Sequence, residues 1–188
     1  MALAGGVVMH PALEFLTLID PSPGATFFIE TRTDVPSGSP KPRPDPLFSQ
    51  YCNLTLADVE QLIPKLATAN AGGAAVYFMV NRCDGPRSKA NVTGIRGVHA
   101  DFDGVSAETL AAVRARLQPT IEVQSSTPDR IHFYWLLKDG EEMSTDLAES
   151  INRGLVALGA DPAATDFSRQ LRLPGFRHMK YRDGGLEV

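Results

Sequence analysis

Asp101 and Asp103 stand two residues apart in Gly97-Val98-His99-Ala100-Asp101-Phe102-Asp103-Gly104, at the end of an apolar, strand-like run. In extended chain, alternate side chains point to opposite faces. Both carboxylates therefore leave the sheet on one side, while Val98, Ala100 and Phe102 turn into a core. Two carboxylates held that close repel each other, and a hard divalent cation between them relieves the repulsion. Such a cation serves chemistry at phosphate, where it both orients the substrate and neutralises charge.

Two further segments carry groups suited to that chemistry. In Ile131-His132-Phe133-Tyr134-Trp135-Leu136-Leu137 the apolar residues Ile131, Phe133, Trp135 and Leu137 share one face. His132 and Tyr134 take the other, which places His132 on the open surface expected for the aspartates. A lone strand histidine is more often structural than catalytic, and only its position after the acid pair raises its interest. The last segment, Thr165 to Arg182, sets Arg169, Arg172, Arg177, Lys180 and Arg182 against the single acid Asp166. Arginine meets phosphate oxygens with paired hydrogen bonds that lysine cannot make. A solvated basic turn explains this segment, taken alone, about equally well.

These residues need a scaffold, and the remaining pattern supplies one. Ala25–Thr31 reads as a strand leading into Thr33–Pro46, whose five prolines impose an exposed extended loop. A solvated excursion is the plain reading of that loop; a template-contacting arm through Lys41 and Arg43 is the functional one. Thr55–Ala69 has helical apolar spacing with Thr55 as cap, and Pro64 is expected to bend or interrupt it. Gly72-Gly73 precedes a buried strand, Ala74–Val80, and Asn81–Val92 is polar and turn-rich. After the acid strand, Ser106 caps a helix to about Gln118 with Leu110, Val113 and Leu117 on its apolar face. Ile121–Ser126 and Ile131–Leu137 form a hairpin across Thr127-Pro128-Asp129-Arg130, and Ser144–Leu158 is a further helix. The order β–α–β–hairpin–α predicts an α+β fold of RNA-recognition-like (ferredoxin-like) type, with a mixed sheet and an N-terminal α/β extension. One domain is expected over 1–188, with an N-terminal subdomain at 1–73 and the catalytic core at 74–182.

The 188 residues are enough for a core without staples. A net charge of −4 argues against wholesale electrostatic binding of nucleic acid, but it leaves room for the local basic patch near the C-terminus. Cys52 and Cys83 match no metal or redox spacing and read as free thiols in a reducing compartment. No leader pattern or apolar run of membrane-spanning length is present, so a cytoplasmic protein is expected.

Taken in order, Asp101-x-Asp103, Ser125-Ser126-Thr127-Pro128-Asp129-Arg130-Ile131-His132, and Asp166-x-x-Arg169-x-x-Arg172-Leu173-Pro174-Gly175 resemble the archaeo-eukaryotic primase superfamily. The similarity is to the primase-polymerases of plasmids, phages and integrated elements. It covers roughly Ala74 to Lys180, with Tyr77-Phe78-Met79-Val80-Asn81 resembling the family's first strand. The resemblance implies template-directed nucleotidyl transfer that makes primers on single-stranded DNA from nucleoside triphosphates. Asp101, Asp103 and Asp166 would hold two Mg²⁺ or Mn²⁺ ions, His132 would contact the incoming triphosphate, and Arg172 and Arg169 would neutralise its outer phosphates. Asp129 replaces a turn glycine common in the family, and Arg130 is unusually large and charged for its place, so it either joins the phosphate site or marks a different turn. No Walker A motif is present, so a helicase or replication initiator is expected in cis or in trans.

Two other functions fit parts of the pattern. Asp101-Phe102-Asp103-Gly104-Val105 also resembles the first motif of haloacid-dehalogenase-type phosphatases. That family needs a later Gly-Asp-x-x-x-Asp pair, which Gly159-Ala160-Asp161…Asp166 does not fit. A non-catalytic single-strand-binding module would stack bases on exposed aromatics, for which Tyr134 is the one good candidate. His99, on the aspartate face, reads as either an orienting or a structural residue.

Overall fold

The helices that follow Thr55, Ser106 and Ser144 each begin on a hydroxyl. Thr55, Ser106 and Ser144 each accept a hydrogen bond from the backbone N–H of the third helical residue, at 3.2 Å in every case. Thr55 also receives the reciprocal bond of a capping box, its N–H donating to Asp58 at 2.9 Å. Each such cap is worth about 1 kcal/mol. The structure, a computed structural model, describes residues 9–36, 38–180 and 186–188. Its elements run α1 (Pro11–Ile19), β1 (Phe27–Thr33), β2 (Ser49–Leu54), α2 (Leu56–Ala71), β3 (Ala74–Met79), β4 (Arg82–Cys83) and β5 (Val92–Gly94). The acid strand β6 (Gly97–Asp103) follows, then α3 (Ala107–Arg116), β7 (Ile121–Gln124), β8 (Arg130–Leu136), α4 (Thr145–Leu155), β9 (Gln170–Arg172), β10 (Arg177–His178) and β11 (Leu186–Glu187).

Two expectations about helices are corrected. α2 passes through Pro64 as one helix. The carbonyl deprived of its partner by Pro64 belongs to Glu60, an exposed residue, so water can serve it. Leu117 is 41% exposed, because α3 ends just before it and the chain turns outward at its C-cap.

β6, β8 and β7 form one sheet in that order, with Asp101 opposite His132 and Asp103 opposite Arg130. The sheet is antiparallel rather than mixed. A crossover through α3 would leave β6 and β7 parallel neighbours, but β8 inserts between them and runs against both. α3 and α4 cover one face, burying Ala100, Phe102 and Phe133 against Leu110, Val113 and Leu155. In a ferredoxin-like unit the strand after the second helix would complete this sheet beside β6. Here that strand, β9, pairs with β3 instead, in a second antiparallel sheet ordered β2-β1-β3-β9. The second sheet therefore takes strands from both ends of the chain and lies against the opposite face of the first.

That contact determines what remains open. Tyr134 is fully buried, its ring 5.5 Å from Phe15 of α1 and 6.2 Å from Phe78 of β3. His99 and His132 are also buried, so His132 does not stand on an open surface as expected. The second sheet and α1 cover that end of the face, and only the Asp101–Asp103 end is left accessible.

Asn81 locks the junction. Its side chain accepts from the N–H groups of Arg96 (2.9 Å) and Gly97 (3.3 Å) and donates to the Phe167 carbonyl at 2.9 Å. Alanine there would leave buried backbone groups unpaired, and urea unfolding should show a loss of roughly 2–4 kcal/mol. A change below about 0.5 kcal/mol would contradict this account of the junction.

Candidate active site at the open end of the acid strand

β6 and β8 present their acids and bases in register because the ladder pairs them across the sheet. Asp101 and Asp103 alternate with the buried Ala100 and Phe102, as the period of a strand requires. The two carboxylates line a depression of about 150 Å³ together with Arg130, His132, Arg172 and Lys180. The tight turn from β7 to β8 is closed by Arg130 N–H donating to the Thr127 carbonyl at 2.9 Å. It brings Ser125 and Ser126 to the rim, and β9 adds Gln170 beside Arg172.

The electrostatics of the depression are uneven. Burial and then the neighbouring carboxylates of Asp103 and Asp161 raise the Asp101 pKa to about 6, with Arg169 and Arg130 pulling the other way. Asp103 is better served, since Arg130 Nε lies 2.8 Å from its Oδ1 and both groups are partly exposed. Burial lowers His132 to about 3, helped by the Arg172 charge and by His99 and His178. His132 is therefore a neutral imidazole near pH 7. Its Nε2, 3.6 Å from Asp101, makes a dipolar contact and not an ion pair. On its other side the Tyr134 hydroxyl lies 3.4 Å from Nδ1.

Arg172 is held by a residue that motif reasoning missed. Its guanidinium donates to Asp34 at 2.9 Å and stacks 5.3 Å above the Tyr77 ring, with both charged groups buried. Asp34 follows β1 at the start of the proline-rich segment, which the sequence presented as a solvated loop. Proline density marked the loop, but no local signal showed that its first acid turns inward to meet an arginine 138 positions on.

The sequence-predicted residues divide into two groups. Asp101, Asp103, Arg130, His132 and Arg172 meet in the depression. Asp166 and Arg169 do not line it. Asp166 accepts from Ser168 N–H at 2.9 Å and from Ser168 Oγ at 2.6 Å, closing its own turn. Arg169 acts on Asp101 through its charge alone. Asp161 is an acid the motifs did not include. Its N–H donates to the Asp101 carbonyl at 2.7 Å, and its carboxylate adds to the repulsion on Asp101. His99 takes a structural place, buried to a pKa of about 4 while its N–H donates to Asn152 at 3.1 Å. Tyr134, the stacking candidate for a binding module, is inaccessible. Of the basic patch, Arg177 and Lys180 are exposed, and Arg182 lies outside the described residues.

An acid raised by burial and then by repulsion from its neighbours lacks positive charge, and a divalent cation between Asp101 and Asp103 supplies it. The chemistry of this pair therefore fits a hard cation. Among the described residues, no three His, Cys, Asp or Glu side chains converge at metal-ligating spacing.

The raised pKa has a thermodynamic consequence. Between its ordinary value near 4 and about 6, Asp101 holds a proton in the folded chain that it has lost in the unfolded one. The contribution of Asp101 to the stability of the cation-free protein therefore falls as pH rises through this window, by up to about 3 kcal/mol. It works against an opposing gain from the buried histidines His99, His132 and His178, whose pKa values are lowered to about 3 or 4. In urea titrations in EDTA, the stability of the wild type relative to Asp101→Asn should fall by that amount between about pH 4 and 6. Equal pH dependence in the two proteins would refute this electrostatic account.

Residues 70–187 match the family described as the RepB DNA-primase N-terminal domain. No curated protein matches the chain. Among solved structures, primase RepB′ shares 23% identity at a TM-score of 0.62, over 94% of this chain and 54% of that one. The chain thus spans about half the length of that primase. The catalytic domain of primase RepB′ in complex with initiator DNA aligns at 22% identity and TM-score 0.63, over 95% of this chain and 83% of that one. The archaeo-eukaryotic primase domain of the cyanophage S-2L primase-polymerase aligns at 20% identity and TM-score 0.63, over 94% and 85%. The two-sheet architecture is therefore that of primase-polymerase catalytic domains, and the family match covers every residue of the depression. The chain belongs to the RepB DNA-primase N-terminal domain family.

Proposed function

We propose that this chain is the catalytic domain of a primase that joins nucleotides on a single-stranded DNA template. The observation that carries the reading is the Asp101–Asp103 pair at the open end of β6, facing a neutral His132 and the guanidinium groups of Arg130 and Arg172. Asp101 and Asp103 would hold Mg²⁺ or Mn²⁺, which would lower the pKa of an attacking 3′-hydroxyl and offset charge at the α-phosphate. The two-ion arrangement calls for a third ligand. Asp166 is the residue the family motif names for it, and it would have to exchange its Ser168 bonds for that role.

The chain's own residues supply the rest. A neutral His132 can donate one hydrogen bond to a phosphate oxygen without trapping the product as a full positive charge would. Arg172, fixed by Asp34 and Tyr77, offers its remaining donors in a set direction, which favours an aligned triphosphate over a mobile one. Arg130 can pass from Asp103 to substrate phosphate once a cation takes its place. Extension of primers is the same chemical step repeated on the same site. Both sheets act as one catalytic domain, since residues of the depression come from each.

Strand separation is assigned to a helicase or initiator elsewhere, in keeping with the half-length match to primase RepB′. No helix among the described residues is long and apolar enough to cross a membrane, and we place the reaction in the cytoplasm, with its nucleotide pool. Neither alternative gains support: the phosphatase reading keeps only its first motif, and the stacking residue of the binding module is buried.

The double substitution Asp101→Ala/Asp103→Ala should abolish cation-dependent incorporation on a single-stranded template, with circular dichroism unchanged. Incorporation at the wild-type rate would refute the proposal. Hydrolysis of a generic phosphomonoester without template by the wild type would favour the phosphatase.

A further inference from the structure

Beside the acid depression lies a larger cavity of about 670 Å³, and Tyr77 and Lys180 line both. Its roof is the proline-rich segment after β1, and Arg32, Lys41, Arg43 and Phe48 are among its walls. The loop is anchored on both sides. Asp45 accepts from Thr33 N–H at 3.1 Å, from Thr33 Oγ1 at 2.6 Å and from Leu47 N–H at 3.0 Å. Thr31 Oγ1 donates to the Leu47 carbonyl at 2.7 Å. These bonds occupy the Asp45 carboxylate, and Arg172 occupies that of Asp34. Lys41 and Arg43, by contrast, are exposed and form no ion pair among the described residues. The cavity is therefore basic although the chain as a whole is acidic.

It also contains an exposed ring. Phe48 is 45% exposed, one of few large apolar side chains outside the core, and the Arg32 guanidinium sits 4.8 Å above it. Arg32 is itself paired with Glu30, which leaves Lys41 and Arg43 as the loop's free charges among the described residues. An aromatic face near such cations is the arrangement that binds single-stranded nucleic acid, with bases stacked on the ring and phosphates drawn to the charges. Nothing in the acid chemistry of the depression needs Phe48, Lys41 or Arg43.

We propose that the cavity under the proline-rich loop seats the single-stranded DNA template, a base stacking on Phe48 and its phosphates meeting Lys41, Arg43 and Lys180. This deepens the proposed function and rests on it for the meaning of the strand, though not for the binding itself. The shared Tyr77 and Lys180 make the template path continuous with the acids. A strand seated there leads directly to the site of nucleotide joining.

The test measures strand binding apart from catalysis. Anisotropy of a fluorescein-labelled oligothymidylate, in EDTA and without nucleotide, is compared for the wild type, Phe48→Ala, Phe48→Tyr and Lys41→Ala/Arg43→Ala, with melting temperatures measured in parallel. Phe48→Ala should raise Kd about tenfold, and Phe48→Tyr should hold near wild type. The charge pair should reduce the slope of log K against log salt by about 1.4, the value for two phosphate contacts on a single strand. If Phe48→Ala melts early, the salt slope of the charge pair decides. Unchanged Kd and slope would overturn the proposal. So would loss of binding to a fluorescent nucleoside triphosphate with strand binding intact, which would make the cavity a nucleotide site. An inert wild type whose strand binding still depends on these residues would support the cavity and count against the polymerase reading alone.

Discussion

Two aspartates separated by one residue on a strand must face the same way, and the sheet they stand on is covered at one end only. This pairing of local geometry with partial cover organises the molecule. The period of the strand sends both carboxylates to one side. Tyr134, packed on Phe15 and Phe78, then closes that side over His99 and His132 and leaves Asp101 and Asp103 at its edge. A fully covered face would have forced the acids to neutralise. An uncovered one would have left them in water, with ordinary acidity and weak cation binding. The edge gives an intermediate environment in which Asp101 is raised to about 6 yet stays in reach of ligands.

The cover exists because the chain does not finish its first sheet. β9 pairs with β3 rather than with β6, so it carries Gln170 and Arg172 out of the RNA-recognition-like unit and into the second sheet. Arg172 then comes to the depression from a separate layer, opposite the acids. Its ion pair with Asp34 is buried, a position in which a lone guanidinium would cost several kcal/mol. The pair ties three sequence-distant pieces into one wall: the loop after β1, the middle of β3 at Tyr77, and β9. The scaffold and the site thus share the same contacts.

Much of this was legible in the chain. The caps at Thr55, Ser106 and Ser144, the alternation along β6 and β8, and the β–α–β–hairpin–α order are local signals, and local hydrogen bonding and periodicity produce them. That Asp101, Asp103, Arg130, His132 and Arg172 meet in one depression was legible from motif spacing on strand and turn. What could not be read was long-range. Nothing near Tyr134 shows that α1 will cover it, nor does anything near Asp34 reveal its arginine. The pairing of β9 with β3 rather than β6 is a choice of topology that periodicity does not record. Asp161 escaped notice because its effect on Asp101 depends on the chain folding back through a single backbone hydrogen bond.

Under the proposed function, the charge arrangement also bears on selectivity for a triphosphate. Arg172 spends one donor on Asp34, and the acidity of that partner offsets much of its field. Its contribution toward phosphate is therefore directional hydrogen bonding more than net attraction. Lys180 and Arg130, both nearer solvent, supply charge with less geometric demand. A ligand with one phosphate could satisfy Lys180 and Arg130 but would leave the remaining donors of the Arg172 guanidinium and the neutral His132 unengaged. A triphosphate would engage both kinds. Buried donors left unpaired are costly, so under the proposed function such a site would reject the shorter ligand through the bonds it fails to make.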